Sequence, residues 1–242
     1  MIYICMQLPS AAQELEPQLL AQVPEVHKPR IFRYKREEDR LRSLLCWHLL
    51  CMGWRQEFGE PLPEIVRKKN GKLYVQEQAY TDDGRYFNFS HCNTGVCCAI
   101  GSRELGVDMQ NIRTVTHTLQ TRCCSAQELA WLAQAEERGQ KEQLFALLWS
   151  RKEAMGKMDG RGITLDLRTL GWMEDGRLEI PSGMGTEQNF DHSDQASELL
   201  HGRSWYLTEN TALAICYRGE RQTHMEQLVQ VSLHDMVYSG EC

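Results

Sequence analysis

The sequence predicts an α+β fold in which each half reads as a helix followed by a small antiparallel sheet. Three observations carry this. Between residues 37 and 58, Leu41, Leu44, Leu45, His48, Leu49 and Met52 recur at helical spacing, and Gly59, Pro61 and Pro63 stop the run. Three short segments follow, 86–90, 96–100 and 105–109, separated by Asn93-Thr94-Gly95 and Gly101-Ser102-Arg103, as a meander requires. The order then recurs, with two helical stretches leading into segments that again read as strands.

Taken in order, the opening segment Met1-Ile2-Tyr3-Ile4-Cys5-Met6 reads as a first strand. It lacks the basic start and long apolar stretch of a secretory signal. The first long helix occupies 37–58, and Asn70-Gly71 marks a turn before the meander. Ser125-Ala126-Gln127-Glu128 is a capping box, so a helix runs from there to about Arg138 and ends at Gly139. A second helix covers 141–158 and stops at Gly160-Arg161-Gly162. Strands are expected at 163–167, 178–180, 204–208 and 212–217, with a mobile polar loop over 182–202. The seam lies at 101–106, dividing the chain into 1–104 and 105–242, without a residue-level repeat.

Composition narrows the class. With 42% hydrophobic and 25% charged residues in 242, the chain buries a core and is neither disordered nor fibrous. No apolar run approaches the roughly 18 residues of a membrane span. The ten cysteines show no C-x-x-C spacing, and several sit inside apolar runs such as Val96-Cys97-Cys98-Ala99-Ile100. They read as reduced thiols of a cytoplasmic protein. The net charge of −6 argues against a general nucleic-acid binder. The charge is uneven, however: Lys28, Arg30, Arg33, Lys35, Arg36, Arg40 and Arg42 crowd one stretch, and Arg67, Lys68, Lys69 and Lys72 another. By charge alone such runs are solvated surface; the rival reading is a phosphate-binding patch.

Two places carry chemistry. In Gly106-Val107-Asp108-Met109-Gln110, strand alternation puts the Asp108 carboxylate and the Gln110 amide on one face. In Trp149-Ser150-Arg151-Lys152-Glu153-Ala154-Met155-Gly156-Lys157, helical spacing aligns Trp149, Glu153 and Lys157. Separately, these are a strand end and a surface ion pair. Combined with the basic patch they suit phosphate chemistry, in which oxygen ligands take a hard cation such as Mg²⁺ with substrate phosphates and lysines neutralise those phosphates.

Asn88-Phe89-Ser90-His91, then Gly106-Val107-Asp108, then Trp149-x-x-Lys152-Glu153-Ala154-x-x-Lys157 resembles the 4′-phosphopantetheinyl transferases of the Sfp type, over nearly the whole chain. Gly71-Lys72 and the pair Asp39 and Arg42 add to the match. The resemblance implies two similar α+β halves with the active site in the cleft between them. It implies transfer of the phosphopantetheine arm of coenzyme A to a serine of an apo acyl, peptidyl or aryl carrier protein. Asp108, Glu153 and Gln110 would hold Mg²⁺, with Mn²⁺ the alternative ion; Lys157 would contact the phosphates, with Lys152 in the same motif. Ser90 and His91 would meet the 3′-phosphate of coenzyme A, helped by Arg42 and Arg36, and Lys72 would also reach toward the cofactor. Glu153, directly or through a water, would be the base for the carrier serine.

One departure bears on function. Many members of that family carry a glutamate two residues after the aspartate, where this chain has Gln110. An amide oxygen ligates a hard cation but brings no charge. The competing expectation is therefore a coenzyme A- or carrier-binding relative without turnover. A monomer acting without membrane or nucleic acid completes the expectation.

Overall fold

The computed structural model describes residues 1–6, 8, 12–68, 71–76, 84–137, 139–160, 167–172, 178–179 and 200–238. Strand β1 (Ile2–Cys5) is followed by helices α1 (Ala12–Ala21), α2 (Lys28–Ile31) and α3 (Glu37–Phe58). A hairpin of β2 (Ile65–Arg67) and β3 (Leu73–Val75) leads to β4 (Tyr86–Cys92), β5 (Gly95–Gly101) and β6 (Leu105–Asn111). Helices α4 (His117–Cys123), α5 (Ala126–Gln134) and α6 (Gln140–Asp159) come next, then β7 (Gly171–Trp172) and β8 (Leu178–Glu179). Strands β9 (Leu200–Thr208), β10 (Thr211–Arg218) and β11 (Leu228–Gln230) precede α7 (Leu233–Tyr238). The architecture is α+β.

Two sheets organise it. The first has the order β11-β1-β5-β4 and the second β6-β10-β9. Helix α3 covers the first sheet, packing Leu44, Leu45, Trp47 and Trp54 against Tyr3, Phe87, Cys98 and Ile100. That burial, at ~25 cal/mol per Å² of apolar surface, anchors the helix. Both long helices end on a left-handed glycine, Gly59 at φ 73° and Gly160 at φ 79°, a conformation that a side chain would strain. The last strand returns to the first sheet, β11 pairing in parallel with β1.

The three strand segments and both long helices fall where the sequence puts them, but the meander does not form: β6 leaves the sheet of β4 and β5 and pairs with β10. Three smaller details also differ. Helix α5 ends at Gln134, because Gly139 (φ 84°) serves as the N-cap of α6; residue 138 lies outside the described residues. Residues 200–202, expected in a loop, begin β9: Leu200 is buried and pairs with Arg218. Of the expected strand at 163–167 only Leu167 is described, in a 3₁₀ turn, and the loop residues 182–199 lie outside the described residues. Among the described residues eight cysteines are free thiols, whereas Cys51 is disulfide-bonded, so the expectation of reduced cysteines fails at that position. Among the described residues no helix is long and apolar enough to cross a membrane.

Candidate functional site

The site begins with a glycine that lets a helix touch a strand. A Cβ on Gly106 would lie 2.0 Å from the Ala154 carbonyl oxygen and 2.5 Å from the Met158 nitrogen, so only hydrogen fits between β6 and α6. Two residues further along β6, Asp108 stands against the side chains of α6. Its Oδ1 accepts from Lys157 Nζ at 2.8 Å and from the Ser90 hydroxyl at 2.9 Å. Lys157 also donates to Ser90 Oγ at 2.7 Å and to the Val107 carbonyl at 3.1 Å. Asp108 and Ser90 are buried, while Lys157 keeps 28% of its side chain exposed at the mouth of a cleft.

Glu153 completes the group with a problem. Its Oε1 is sealed from solvent and has no hydrogen-bond partner. Burial pushes its pKa above the usual carboxylate range, the negative charge of Asp108 adds to that, and Lys157 opposes. Burial pulls Lys157 down, but Asp108 and Glu153 outweigh it and the ammonium is held more firmly than usual. Two carboxylates share one ammonium, so the cluster is one negative charge in excess. An orphaned carboxylate oxygen in such a field suits a hard cation held by oxygens. Among the described residues no cluster of three or more His, Cys, Asp or Glu forms a cage. Gln110, half-buried two positions along the strand from Asp108, presents its neutral amide on the same face.

His91 belongs to the other face of β4. Its ring lies 6.3 Å from that of Tyr34 in an edge arrangement, near the start of α3, where Arg42 donates to Asp39 at 2.6 Å. Burial lowers the His91 pKa to about 4, with Lys157 and Arg42 pushing the same way and Asp39 opposing. Arg36, the residue just before α3, adds its positive charge beside Asp39. The structure thus brings His91, Arg42 and Arg36 to one corner, and Ser90 to Asp108 instead.

The cleft has a volume of about 230 Å³ and is lined by Arg30, Lys72, Asn88, Gly156 and Lys157 among others. Lys72 enters it from the β2–β3 hairpin, donating to Glu104 at 2.9 Å and to the Met158 carbonyl. Burial lowers its pKa, against the pull of Glu104. Lys152 goes elsewhere. Its side chain is 1% exposed and its three N–H groups reach Glu128 (2.5 Å), the Cys123 carbonyl (2.7 Å) and the Leu167 carbonyl (2.7 Å). Sequence reasoning had no partner for it, although the capping box names one: Glu128, which also accepts from the Ser125 N–H. Asn88 is the other omission; its Oδ1 accepts from the Val107 N–H at 3.1 Å.

Comparison with known proteins fits this geometry. Residues 104–216, which include Gly106, Asp108, Glu153 and Lys157, match a family model described as the 4′-phosphopantetheinyl transferase superfamily. The 4′-phosphopantetheinyl transferase ffp of Bacillus subtilis is 30% identical over 173 residues, covering 70% of this chain and 75% of that one. The chain belongs to the 4′-phosphopantetheinyl transferase superfamily. Another 4′-phosphopantetheinyl transferase of Bacillus subtilis is 28% identical over 199 residues, 81% of this chain and 86% of that protein. The gsp transferase of Aneurinibacillus migulanus is 28% identical over 144 residues, 59% of this chain and 57% of that one. The superfamily match spans both α6 and the strand it touches.

Proposed function

We propose that the protein transfers the 4′-phosphopantetheine arm of coenzyme A to a serine of an apo acyl, peptidyl or aryl carrier protein, releasing adenosine 3′,5′-bisphosphate. The observation that carries this reading is the Asp108–Glu153–Lys157 cluster, one negative charge in excess, at a cleft whose rim supplies Arg30, Lys72 and Lys157. Asp108 and Glu153, with the Gln110 amide, would hold Mg²⁺ or Mn²⁺. When bound, such an ion neutralises charge on pyrophosphate oxygens. Lys157 meets the charge that builds on the leaving phosphate. The chain divides near residue 104 into a part that grips the 3′-phosphate through His91, Arg42 and Arg36 and a part that carries the carboxylates. The active site lies in the cleft between these two similar α+β halves.

The carrier serine Oγ forms a bond to phosphorus as the pyrophosphate P–O bond breaks, and the serine proton passes to Glu153, directly or through a water. Its raised pKa suits a proton acceptor. Positioning and charge neutralisation do most of the remaining work. The enzyme is read as a cytoplasmic monomer that needs neither membrane nor nucleic acid.

Gln110 favours a second reading, a coenzyme A- or carrier-binding relative without turnover. Intact mass of several apo-carriers after incubation with coenzyme A and Mg²⁺ separates the two. A gain of one phosphopantetheine arm on any carrier is the expected result; coenzyme A binding with no mass gain on all of them would leave the binding module.

A further inference from the structure

Strands β4 and β6 are edge strands of different sheets, and no ladder joins them. An unpaired strand edge leaves backbone N–H and C=O groups in need of partners. At Val107 both groups are met by side chains: Asn88 Oδ1 takes the N–H and Lys157 Nζ takes the carbonyl. Asn88 and Ser90 are two apart on β4 and share a face, so the Ser90 hydroxyl falls on the next residue of β6, donating to Asp108. Further along, Asn93 N–H donates to Asn111 Oδ1, and Asn111 Nδ2 to Thr94 Oγ1.

We infer that Asn88 and Ser90 are positioning residues, a side-chain stitch across the seam between the sheets that aims the Asp108 carboxylate and Lys157, and that Ser90 is not a ligand of the 3′-phosphate. A hydroxyl has one proton to give, and a phosphate dianion needs a donor. Ser90 spends its proton on Asp108, accepts from Lys157, and is 6% exposed. His91, next in the strand, faces the opposite side with Arg42. The two neighbours thus serve different ends of the ligand. This inference rests on the proposed transferase reading for the meaning of Asp108, and it divides a pair of residues that the sequence motif lumps together.

The test pairs two binding measurements on the intact protein. Mn²⁺ affinity is followed by electron paramagnetic resonance, and coenzyme A is compared with dephospho-coenzyme A by calorimetry. For Ser90→Ala, Mn²⁺ binding should weaken roughly tenfold, the scale of one charge-assisted hydrogen bond, while preference for coenzyme A over dephospho-coenzyme A stays at the wild-type value. Ser90→Thr, which keeps the hydroxyl, should restore Mn²⁺ binding, and His91→Ala should lose the preference with Mn²⁺ affinity unchanged. Ser90→Cys fills the same space with a far weaker donor and carries the test if the alanine variant folds poorly. A collapsed preference in Ser90→Ala or Ser90→Cys with undiminished Mn²⁺ affinity would overturn the inference. A wild-type protein that binds Mn²⁺ but neither coenzyme A form would sink the transferase reading alone, since Mn²⁺ affinity still reports what Ser90 does to Asp108.

Discussion

Lys152 and Lys157 sit on the same helix, each with three acceptors around its ammonium, yet they do different things. Five residues correspond to about 500° of helical rotation, so the two point about 140° apart. Lys152 turns toward α4 and α5, where two carbonyls and the Glu128 carboxylate close over it; lysine and glutamate are each 1% exposed and balance in charge. Lys157 turns toward β6 and the cleft, and there it faces two carboxylates with one positive charge. The difference teaches that the number of hydrogen bonds does not mark a functional lysine. Solvent access and an unbalanced charge do.

The largest expected effect breaks the open end of this comparison. Lys157→Met should lower carrier modification by roughly 10²–10³-fold, the scale of losing one preorganised charge at a developing anion. Asp108 is then left buried beside a second carboxylate with no cation, so stability should fall as well; a folded variant with turnover near wild type would remove Lys157 from the reaction.

Lys152→Met should act through the fold, costing about 3–5 kcal/mol of stability because Glu128 is left buried and unpaired. Adding Glu128→Gln should recover part of that loss, since the amide oxygen still accepts from Ser125. Chemical denaturation of the two single variants and the double variant measures the coupling, and additive losses would refute it.

Gly106→Ala tests what brings the helix to the strand. The added methyl has to displace the Ala154 carbonyl or the backbone at Met158, a cost of about 1–3 kcal/mol. Activity should fall further than stability, because Glu153 and Lys157 move with α6. A variant with wild-type unfolding and turnover would show that the contact is slack.

The smallest effect is a pH slope remote from both lysines. His48 is 3% exposed on α3, its ring 3.1 Å from the Leu19 carbonyl, and burial lowers its pKa against the favourable carbonyl. Below the usual value near 6.5 the unfolded chain binds the proton more readily than the folded one, so stability is full at about pH 7 and falls through mild acid. His91, at about 4, has the same sign. His48→Gln should flatten the fall in unfolding midpoint between about pH 7 and 5, and an unchanged slope would assign the effect to other groups.

What the sequence made legible follows from how local each signal is. Helix α3 ends at Gly59 and α6 at Gly160 because periodicity and a glycine stop are written in neighbouring residues. The Asp108–Lys157 pairing was legible as two motifs, but their contact depends on Gly106, whose significance lies in Ala154. The strands β2, β3 and β11 are not readable, since three residues carry too little periodicity, and of the β2–β3 hairpin only the Asn70-Gly71 turn signal is legible. Lys152 misleads for a similar reason. A motif sets it beside Glu153, whereas its partners come from Cys123, Glu128 and Leu167, which only tertiary structure brings together.

The strand β11 has a consequence for the birth of the molecule. Ile2, Tyr3 and Ile4 take Leu228, Val229 and Gln230 as neighbours, so β1 must wait for a strand made more than two hundred residues later. Until then β1 carries an open edge of buried-type residues, the kind of surface through which nascent chains stick to one another. Contacts that span nearly the whole chain also slow the search for the native state. Completion of the first sheet therefore comes long after β1 is made, and the growing chain carries that edge unguarded until β11 emerges.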